Sequence, residues 1–199
     1  MTIWNERFGG ADYLYGTEPN DFLRAEAGQI PLGPVLCLAE GEGRNAVFVA
    51  SLGHEVTAVD LSARGLEKTR ALADAQGVQV EITLADLEHY EIEAESWSGI
   101  VAIFMHLPPT LRAAVLGRVV EGLRPGGVFL MEAYTPKQLS YGTGGPQSPE
   151  LLVTLDQLQQ ELAGLEFLHA AEVEREIHEG QGHNGLSSVV QIVARKPGE

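Results

Sequence analysis

A glycine-rich turn between a strand and a helix is the first feature of this sequence that could do chemistry. Residues 35–45 read Val-Leu-Cys-Leu-Ala-Glu-Gly-Glu-Gly-Arg-Asn, an apolar strand that enters the turn and opens a helix. Glycines let a backbone approach a ligand closely, and the free N–H groups of a first helical turn attract a carboxylate or a phosphate. Taken alone, the run also fits any tight turn from a strand into a helix.

Two acidic residues follow at the ends of the next two predicted strands. Asp60 ends the second strand, 17 residues after Gly43, where a carboxylate can accept both hydroxyls of a ribose. Asp86 ends the third strand, where it can accept a hydrogen bond from an adenine amino group. Each acid alone is more often a helix cap or a solvated loop residue. At successive strand ends on one edge of a sheet, the two predict an adenosine pocket.

Alternating strand-like and helix-like segments must position these residues. From Val35 onward the pattern is typical of a mostly parallel sheet with helices on both faces. Strands are predicted over 35–39, 54–60, 78–84, 99–106, 128–133, 167–177 and 187–194. Helices are predicted over 44–52, from Ser62 to Ala75, after Pro109 and after a Thr154/Gln157 capping box. The strict alternation of 78–84 places that strand at a sheet edge, and a glycine-rich hairpin makes the last strand antiparallel.

The order of the motifs resembles that of class I S-adenosylmethionine-dependent methyltransferases. The motifs are Leu-Ala-Glu-Gly-Glu-Gly-Arg-Asn at 38–45, Val-Asp at 59–60, Ala-Asp-Leu at 85–87, Ile-Phe-Met-His-Leu-Pro at 103–108 and Leu-Arg-Pro-Gly-Gly at 123–127. Gly-Arg-Asn after the turn and the short length are similar to the bacterial tellurite-resistance and thiopurine methyltransferase-like subgroup. The resemblance covers roughly residues 1–195 and implies a Rossmann-like fold with S-adenosylmethionine as cofactor.

The resemblance also implies which residues hold that cofactor. Glu40 to Gly43 would line its methionine portion, and Asp60 would hold the ribose. Asp86 and Leu87 would contact the edge of the adenine. The full set of candidate cofactor-binding residues is Arg7, Tyr15, Glu40, Gly41, Glu42, Gly43, Asn45, Asp60, Leu61, Asp86, Leu87 and Ile103. Where the family usually has an acid and a first glycine, this chain has Cys37 and Ala39. We therefore expect Glu40 or Glu42 to supply the missing negative charge, which suits an ammonium and a sulfonium.

The N-terminal segment is unusually aromatic. Of the 13 aromatic residues in the chain, five lie within the first 22 positions: Trp4, Phe8, Tyr13, Tyr15 and Phe22. Three glycines and the lack of a strand pattern predict a lid over residues 1 to about 18, ahead of a helix capped by Asn20. Aromatic faces near a sulfonium gain cation–π attraction, and Arg7 could reach a carboxylate. The alternative is that these aromatics only pack the first helix onto the sheet.

Candidate catalytic residues lie near the predicted strand ends. His106 ends the fourth strand, Tyr134 begins a long loop over 134–150, and His183 lies in the terminal hairpin. If these three line an acceptor pocket, His106 is the first candidate for a general base and His183 the second. Each histidine also fits a purely structural role. No metal site is expected, because the lone Cys37 lies inside a strand.

The net charge and the length of the chain restrict the possible partners and the number of domains. The 199 residues carry 13 Lys and Arg against 28 Asp and Glu, a net charge of −15, which opposes binding to nucleic acid or anionic membranes. No signal peptide is recognisable, and we expect a cytoplasmic monomer or homodimer. We expect one domain over 1–199, with residues 1–30 as lid and first helix and 31–199 as the core.

The predicted function is methyl transfer from S-adenosylmethionine to a small acceptor: a thiol, an oxyanion such as tellurite or selenite, or a small oxygen or nitrogen nucleophile. One alternative is an NAD(P)-dependent oxidoreductase, because Gly41 and Gly43 are followed by Ala46 at an allowed third position. The other alternative is a module that binds S-adenosylmethionine without catalysis.

Overall fold

The computed structural model describes residues 3–198 and contains seven strands and six α-helices within them. The strands are β1 (Pro34–Leu38), β2 (Glu55–Asp60), β3 (Val80–Leu84), β4 (Trp97–Ile103), β5 (Leu123–Tyr134), β6 (Glu166–Glu179) and β7 (His183–Arg195). The helices are α1 (Ile3–Arg7), α2 (Asp21–Glu26), α3 (Arg44–Ser51), α4 (Ala63–Gln76), α5 (Pro109–Gly122) and α6 (Leu155–Glu161). Among these helices none is long and apolar enough to cross a membrane.

The seven strands form one sheet in the order β3-β2-β1-β4-β5-β7-β6. The first five strands are parallel, and β7 is antiparallel to both β5 and β6. The predicted α/β, Rossmann-like sheet of seven strands with an antiparallel last strand is therefore confirmed. Strand order reverses between β1 and β4, and ligands of such sheets bind beyond the carboxyl ends of the strands at that point. The turn of the β6–β7 hairpin lies at the same edge of the sheet.

Burial on both faces explains the apolar central strands. β1 alternates Leu36 and Leu38 toward one hydrophobic cluster with Val35 and Cys37 toward the other. Helices α5 and α6 cover the first face, and α2 and α3 cover the second. By contrast, β3 lies at a sheet edge and has no fully buried residue, as its alternating sequence predicts.

Several predicted element boundaries move in the structure. β4 ends at Ile103 rather than His106, because Phe104 has a φ of 54°, which a strand cannot continue. β5 begins at Leu123 rather than Val128, because Leu123 already pairs with Trp97 before a register shift. The terminal hairpin is tighter than expected: β6 and β7 pair as far as Glu179 and His183. The short helix α1 within the predicted lid was not expected; residues 1 and 2 of that lid lie outside the described residues.

Candidate active site

A cavity of about 140 Å³ lies at the carboxyl edge of the sheet, beside the point where the strand order reverses. Eleven of the predicted site residues line it: Tyr15, Glu40, Gly41, Asn45, Asp60, Leu61, Asp86, Leu87, Ile103, His106 and His183. They come from the N-terminal segment, the segments that follow β1 to β4, the first turn of α3 and the terminal hairpin. The fold thus brings most of the predicted cofactor residues and both candidate histidines to one cavity.

The turn after β1 forms the first wall of the cavity. Gly41 and Gly43 have φ angles of 68° and 94°, and Ala39, in place of the expected glycine, keeps a φ of 50°. This turn aims the Glu40 carboxylate at the start of α3, where Oε1 accepts N–H bonds from Asn45 (3.0 Å) and Ala46 (2.9 Å). Oε1 therefore caps the helix, and Oε2 is left for a ligand. Burial raises the pKa of Glu40 to about 7.

Asp60 ties this turn to the end of β2. Its Oδ2 accepts the Gly41 N–H at 2.8 Å, and its Oδ1 accepts the Ser62 N–H at 2.7 Å. A carboxylate oxygen accepts more than one hydrogen bond, so both oxygens can still receive hydroxyl groups from the cavity. Burial raises the pKa of Asp60, and the backbone N–H donors oppose that shift.

The donor set of the cavity fits S-adenosylmethionine. Glu40 Oε2 and the first turn of α3 suit an amino acid group, and Asp60 suits a ribose diol. Asp86 lines the cavity together with the apolar Leu61 and Leu87, a set that suits the polar edge and the faces of an adenine. In the part of the chain that the structure describes, no cluster of three or more His, Cys, Asp or Glu could hold a metal ion.

Five aromatic rings pack together at the histidine part of the cavity. Phe104 stacks on Tyr134 with ring centroids 4.7 Å apart and meets His183 edge-on at 4.6 Å. Tyr15 lies 4.5 Å from His183, and His106 stacks on Tyr134 at 5.6 Å. Phe104 holds its left-handed backbone conformation here, and such strain in a non-glycine residue is concentrated at functional sites.

The two histidines differ in their polar surroundings. Neither ring nitrogen of His106 has a hydrogen-bond partner of normal length among residues 3–198, and burial lowers its pKa to about 3. His183 turns Nδ1 toward Glu179, whose Oε2 lies 3.6 Å away. Burial lowers the pKa of His183, while Glu179 opposes that shift.

A buried network of ion pairs and hydrogen bonds supports the histidine part of the cavity. Glu179 accepts bonds from Arg44 Nη2 (2.6 Å) and Asn20 Nδ2 (2.9 Å). Glu132, fully buried in β5, accepts from Asn20 Nδ2 (2.8 Å) and from Arg175 Nη2 (2.6 Å). The sequence pattern did not predict these roles, although one signal existed: Glu132 interrupts the otherwise apolar run of β5.

The N-terminal segment crosses the cavity between α4 and the hairpin. The Leu14 N–H donates to Glu42 Oε2 at 2.8 Å, and its carbonyl accepts from the Gln181 N–H at 2.9 Å. Lys68 binds the other Glu42 oxygen at 2.7 Å. The segment thus bridges two walls of the cavity and carries Tyr15 onto His183.

Four predicted site residues do not reach the cavity. Glu42 faces the N-terminal segment and Lys68, as described above. Gly43 packs against Thr69 of α4, where an added Cβ would lie 2.6 Å from the Thr69 Cα. Arg7 lies over the Trp4 ring, 5.1 Å from its centroid. Tyr134 is fully buried behind Phe104 and His106.

The raised pKa of Glu40 predicts a pH-dependent stability. The folded protein holds a proton on Glu40 between pH 4.5 and about 7 that the unfolded chain has lost, so stability falls as pH rises through this window. We expect Glu40→Gln to remove on the order of 2 kcal/mol of that fall. Urea unfolding at pH 5 and pH 8 measures it, with the exposed Glu67→Gln as control. Equal pH dependence in wild type and Glu40→Gln would contradict it.

Comparisons with known proteins agree with this geometry. Residues 35–127 match the family model described as a methyltransferase domain. Curated protein sequences give no match. The chain is similar to a structure from work on the conversion of a disulfide bond into a thioacetal group during echinomycin biosynthesis, with 20% identity, a TM-score of 0.76, and 97% and 88% of the two chains covered.

Two further solved structures share the fold. TehB from Haemophilus influenzae is 22% identical with a TM-score of 0.70, over 88% of this chain and 61% of that chain. A protein from Methanosarcina mazei described as a SAM-dependent methyltransferase is 18% identical with a TM-score of 0.69, over 88% and 98%. Residues 35–127 thus form a methyltransferase domain, and the described chain has the Rossmann-like fold of the solved structures it resembles, among them a SAM-dependent methyltransferase.

Proposed function

We propose that this enzyme methylates a small molecule that binds between His106 and His183. One observation carries the proposal: both histidines line the same cavity as Glu40, Asp60 and Asp86. An imidazole in a cavity wall can donate or accept a hydrogen bond, so this arrangement favours a polar acceptor between the two rings. The acceptor classes we propose are a thiol, an oxyanion, or a small oxygen or nitrogen nucleophile.

Different residues of the cavity are proposed to bind different parts of the cofactor. We assign the amino acid part of the cofactor to Glu40 and Asn45, the ribose to Asp60, and the adenine to Asp86 and Leu87. When bound, the cofactor supplies an electrophilic methyl group on a sulfonium. Trp4, Phe8 and Tyr15 border the cavity and exclude water. Displacement at a methyl carbon depends on alignment and exclusion of water, which these aromatic walls provide when they are closed over the cavity.

Tyr134 supports the site rather than contacting the acceptor. Its ring lies behind Phe104 and His106 and is fully buried. We therefore propose His106 and His183 as the acceptor contacts, with Tyr134 holding their positions. Neither the tellurite-resistance nor the thiopurine likeness decides which acceptor is used.

Production of S-adenosylhomocysteine tests the proposed function. The purified enzyme is incubated with S-adenosylmethionine and a panel of small thiols, phenols, amines and oxyanions. We expect S-adenosylmethionine, but not NADH, to raise the melting temperature, and at least one acceptor to be methylated. Binding of the cofactor without turnover of any acceptor would favour a module without catalysis, and stabilisation by NADH would contradict the cofactor assignment.

Hydrogen exchange tests the N-terminal segment as a lid. Leu14 and Tyr15 lie outside regular secondary structure, between α1 and α2, and such segments open locally before the core does. We expect amides of residues 8–16 to exchange at least tenfold more slowly with S-adenosylmethionine bound, because closure over a ligand adds contacts. A peptide from β4 is the internal control. Equal exchange with and without the cofactor would support plain packing of the aromatics.

A further inference from the structure

We propose that the methyl acceptor is a protic nucleophile that enters without negative charge, that His183 takes its proton, and that Glu179 is the positioning residue for His183. The inference rests on the proposed function and names its substrate class. It separates thiols, phenols and amines from oxyanions such as tellurite and selenite.

The first observation concerns the cations of the cavity, which are already paired. Arg44 is the one lysine or arginine among the described residues that line the cavity. Its Nη2 lies 2.6 Å from Glu179 Oε2, and its side chain is nearly inaccessible to solvent. Behind it, Arg175 binds both oxygens of Glu132, through Nε at 3.1 Å and Nη2 at 2.6 Å. Both guanidinium groups are thus neutralised by carboxylates before any anion could enter.

The remaining charges around the cavity are acidic. Glu40, Asp60 and Asp86 line it, and the whole chain carries a net charge of −15. Because both guanidinium groups are paired, the sulfonium of the bound cofactor would be the remaining cation to face a desolvated oxyanion, whose burial is costly, and the field of the protein slows its approach. An uncharged acceptor meets neither penalty, which favours a protic nucleophile.

The second observation is the geometry of His183 and Glu179. Tyr15 and Phe104 fix the imidazole from two sides, at 4.5 Å and 4.6 Å between ring centroids. Nδ1 faces Glu179 Oε2 at 3.6 Å, which leaves Nε2, on the opposite side of the ring, for the cavity. Catalytic hydrogen bonds are often long before substrate binds. Formation of an imidazolium would draw Nδ1–H and the carboxylate together.

The neighbours of Glu179 keep its carboxylate charged. Bonds from Arg44 and Asn20 hold its two oxygens, and His183 together with Arg44 lowers the pKa of Glu179 to about 2 despite its burial. A fixed carboxylate beside Nδ1 selects the tautomer with a proton on Nδ1 and a lone pair on Nε2. That lone pair is what a general base must present to the acceptor.

His106 suits a different role. Burial lowers its pKa to about 3, which makes its conjugate acid too acidic to keep a proton taken from the acceptor. Within residues 3–198, no carboxylate forms an ion pair or hydrogen bond with its ring nitrogens that could stabilise a charge. We assign His106 to orienting the acceptor by a hydrogen bond.

Proton transfer and methyl transfer together conserve atoms and charge. The acceptor's bond to hydrogen breaks, and its proton joins the Nε2 lone pair of His183. The electron pair of the acceptor forms the bond to the methyl carbon, and the bond from that carbon to the sulfonium sulfur breaks with its electrons kept by sulfur. The proton then leaves His183 for solvent.

The titratable and charged groups around His183 come from every element packed on it. They are Glu179 on β6, Arg44 on α3, Glu132 and Tyr134 on β5, Tyr15 on the N-terminal segment and His106 after β4. Arg44 opposes protonation of His183, and Glu179 with Glu132 favours it. Removal of the Glu179 charge should therefore lower the pKa of His183.

The first test compares acceptors with His183→Gln. We expect the wild type to methylate at least one of a small thiol, a phenol or a primary amine in preference to selenite and tellurite. His183→Gln should lower kcat for that acceptor by about 10²- to 10⁴-fold, with an unchanged Kd for S-adenosylmethionine by calorimetry. Preferential turnover of selenite or tellurite, or equal turnover by His183→Gln, would overturn the inference while leaving methyl transfer itself intact. Failure to bind S-adenosylmethionine would instead overturn the proposed function.

The second test measures the His183 imidazole by NMR titration, without cofactor or turnover. Glu179→Gln should lower the pKa of His183 and move the acidic limb of the kcat profile to lower pH. A purely structural role would lower kcat without moving either. Glu174→Gln, an exposed carboxylate on the same strand that pairs with Lys137, is the matched control and should move neither. If Glu179→Gln unfolds, Glu179→Asp keeps the charge at a longer distance and should give a smaller shift in the same direction; no shift in a folded variant contradicts the inference.

Discussion

Gly43→Ala is expected to destabilise the fold by about 3 kcal/mol or more, and Gly43→Val by more still. An added Cβ would lie 2.6 Å from the Thr69 Cα and 2.7 Å from its side chain. The backbone of α4 cannot yield as a flexible side chain would, so α3 and α4 must separate. In addition, the φ of 94° at Gly43 is one that residues with a Cβ rarely adopt.

Gly77→Ala separates the steric clash with α4 from the strain of a positive φ. Gly77 also has a positive φ, 67°, but a Cβ there would meet nothing within 4 Å. We expect that variant to lose about 1 kcal/mol, the cost of the backbone conformation alone. Urea unfolding of both variants measures the difference. Equal stabilities, with a loss of S-adenosylmethionine binding only in Gly43→Ala, would instead assign Gly43 to the cofactor, as the sequence motif suggests.

Asp60→Asn should weaken S-adenosylmethionine binding at least tenfold. The two carboxylate oxygens already hold the Gly41 and Ser62 N–H groups, which fixes their direction toward the cavity. A hydrogen bond to a charged acceptor is worth about 1 kcal/mol more than one to a neutral acceptor. A ribose diol donates two such hydrogen bonds, so this free-energy difference is lost twice. The loss corresponds to a Kd that is higher by roughly tenfold or more.

Calorimetry measures this effect against a matched control. Asp74→Asn removes a charge from an exposed position of α4 and should leave the Kd unchanged. Because the asparagine amide introduced by Asp60→Asn has a single acceptor oxygen, it can keep only one of the two backbone bonds. The melting temperature without cofactor must therefore be recorded as well. An unchanged Kd in a folded Asp60→Asn variant would show that Asp60 serves the turn and not the ribose.

Local sequence determined the elements and most of the cofactor cavity. Capping residues act within one helical turn, so Asn20 and Thr154 mark helix starts that the structure confirms. Parallel strands end at one edge, so Asp60 and Asp86 had to meet near the glycine turn. Hydrophobic alternation likewise identified β3 as an edge strand, because it reports directly which face is buried.

Side-chain direction within the turn was decided only by tertiary structure. Glu40 and Glu42 are two residues apart in a motif rich in glycine, and the sequence could not say which faces the ligand. The φ angles at Gly41 and Gly43 and the packing of α4 turn Glu40 to the cavity and Glu42 to Lys68. Those angles depend on contacts with residues far away in sequence.

The support of the histidines likewise required the folded chain. Arg44 and Glu179 are 135 positions apart, and Asn20 lies 112 positions from Glu132. No local periodicity carries information about such pairs, because β7 must first insert between β5 and β6 to bring them together. The sequence alone therefore determined the fold, the cofactor edge and two candidate histidines, whereas their charge states and partners follow from long-range packing that pairs Arg44 and Arg175 with two buried glutamates.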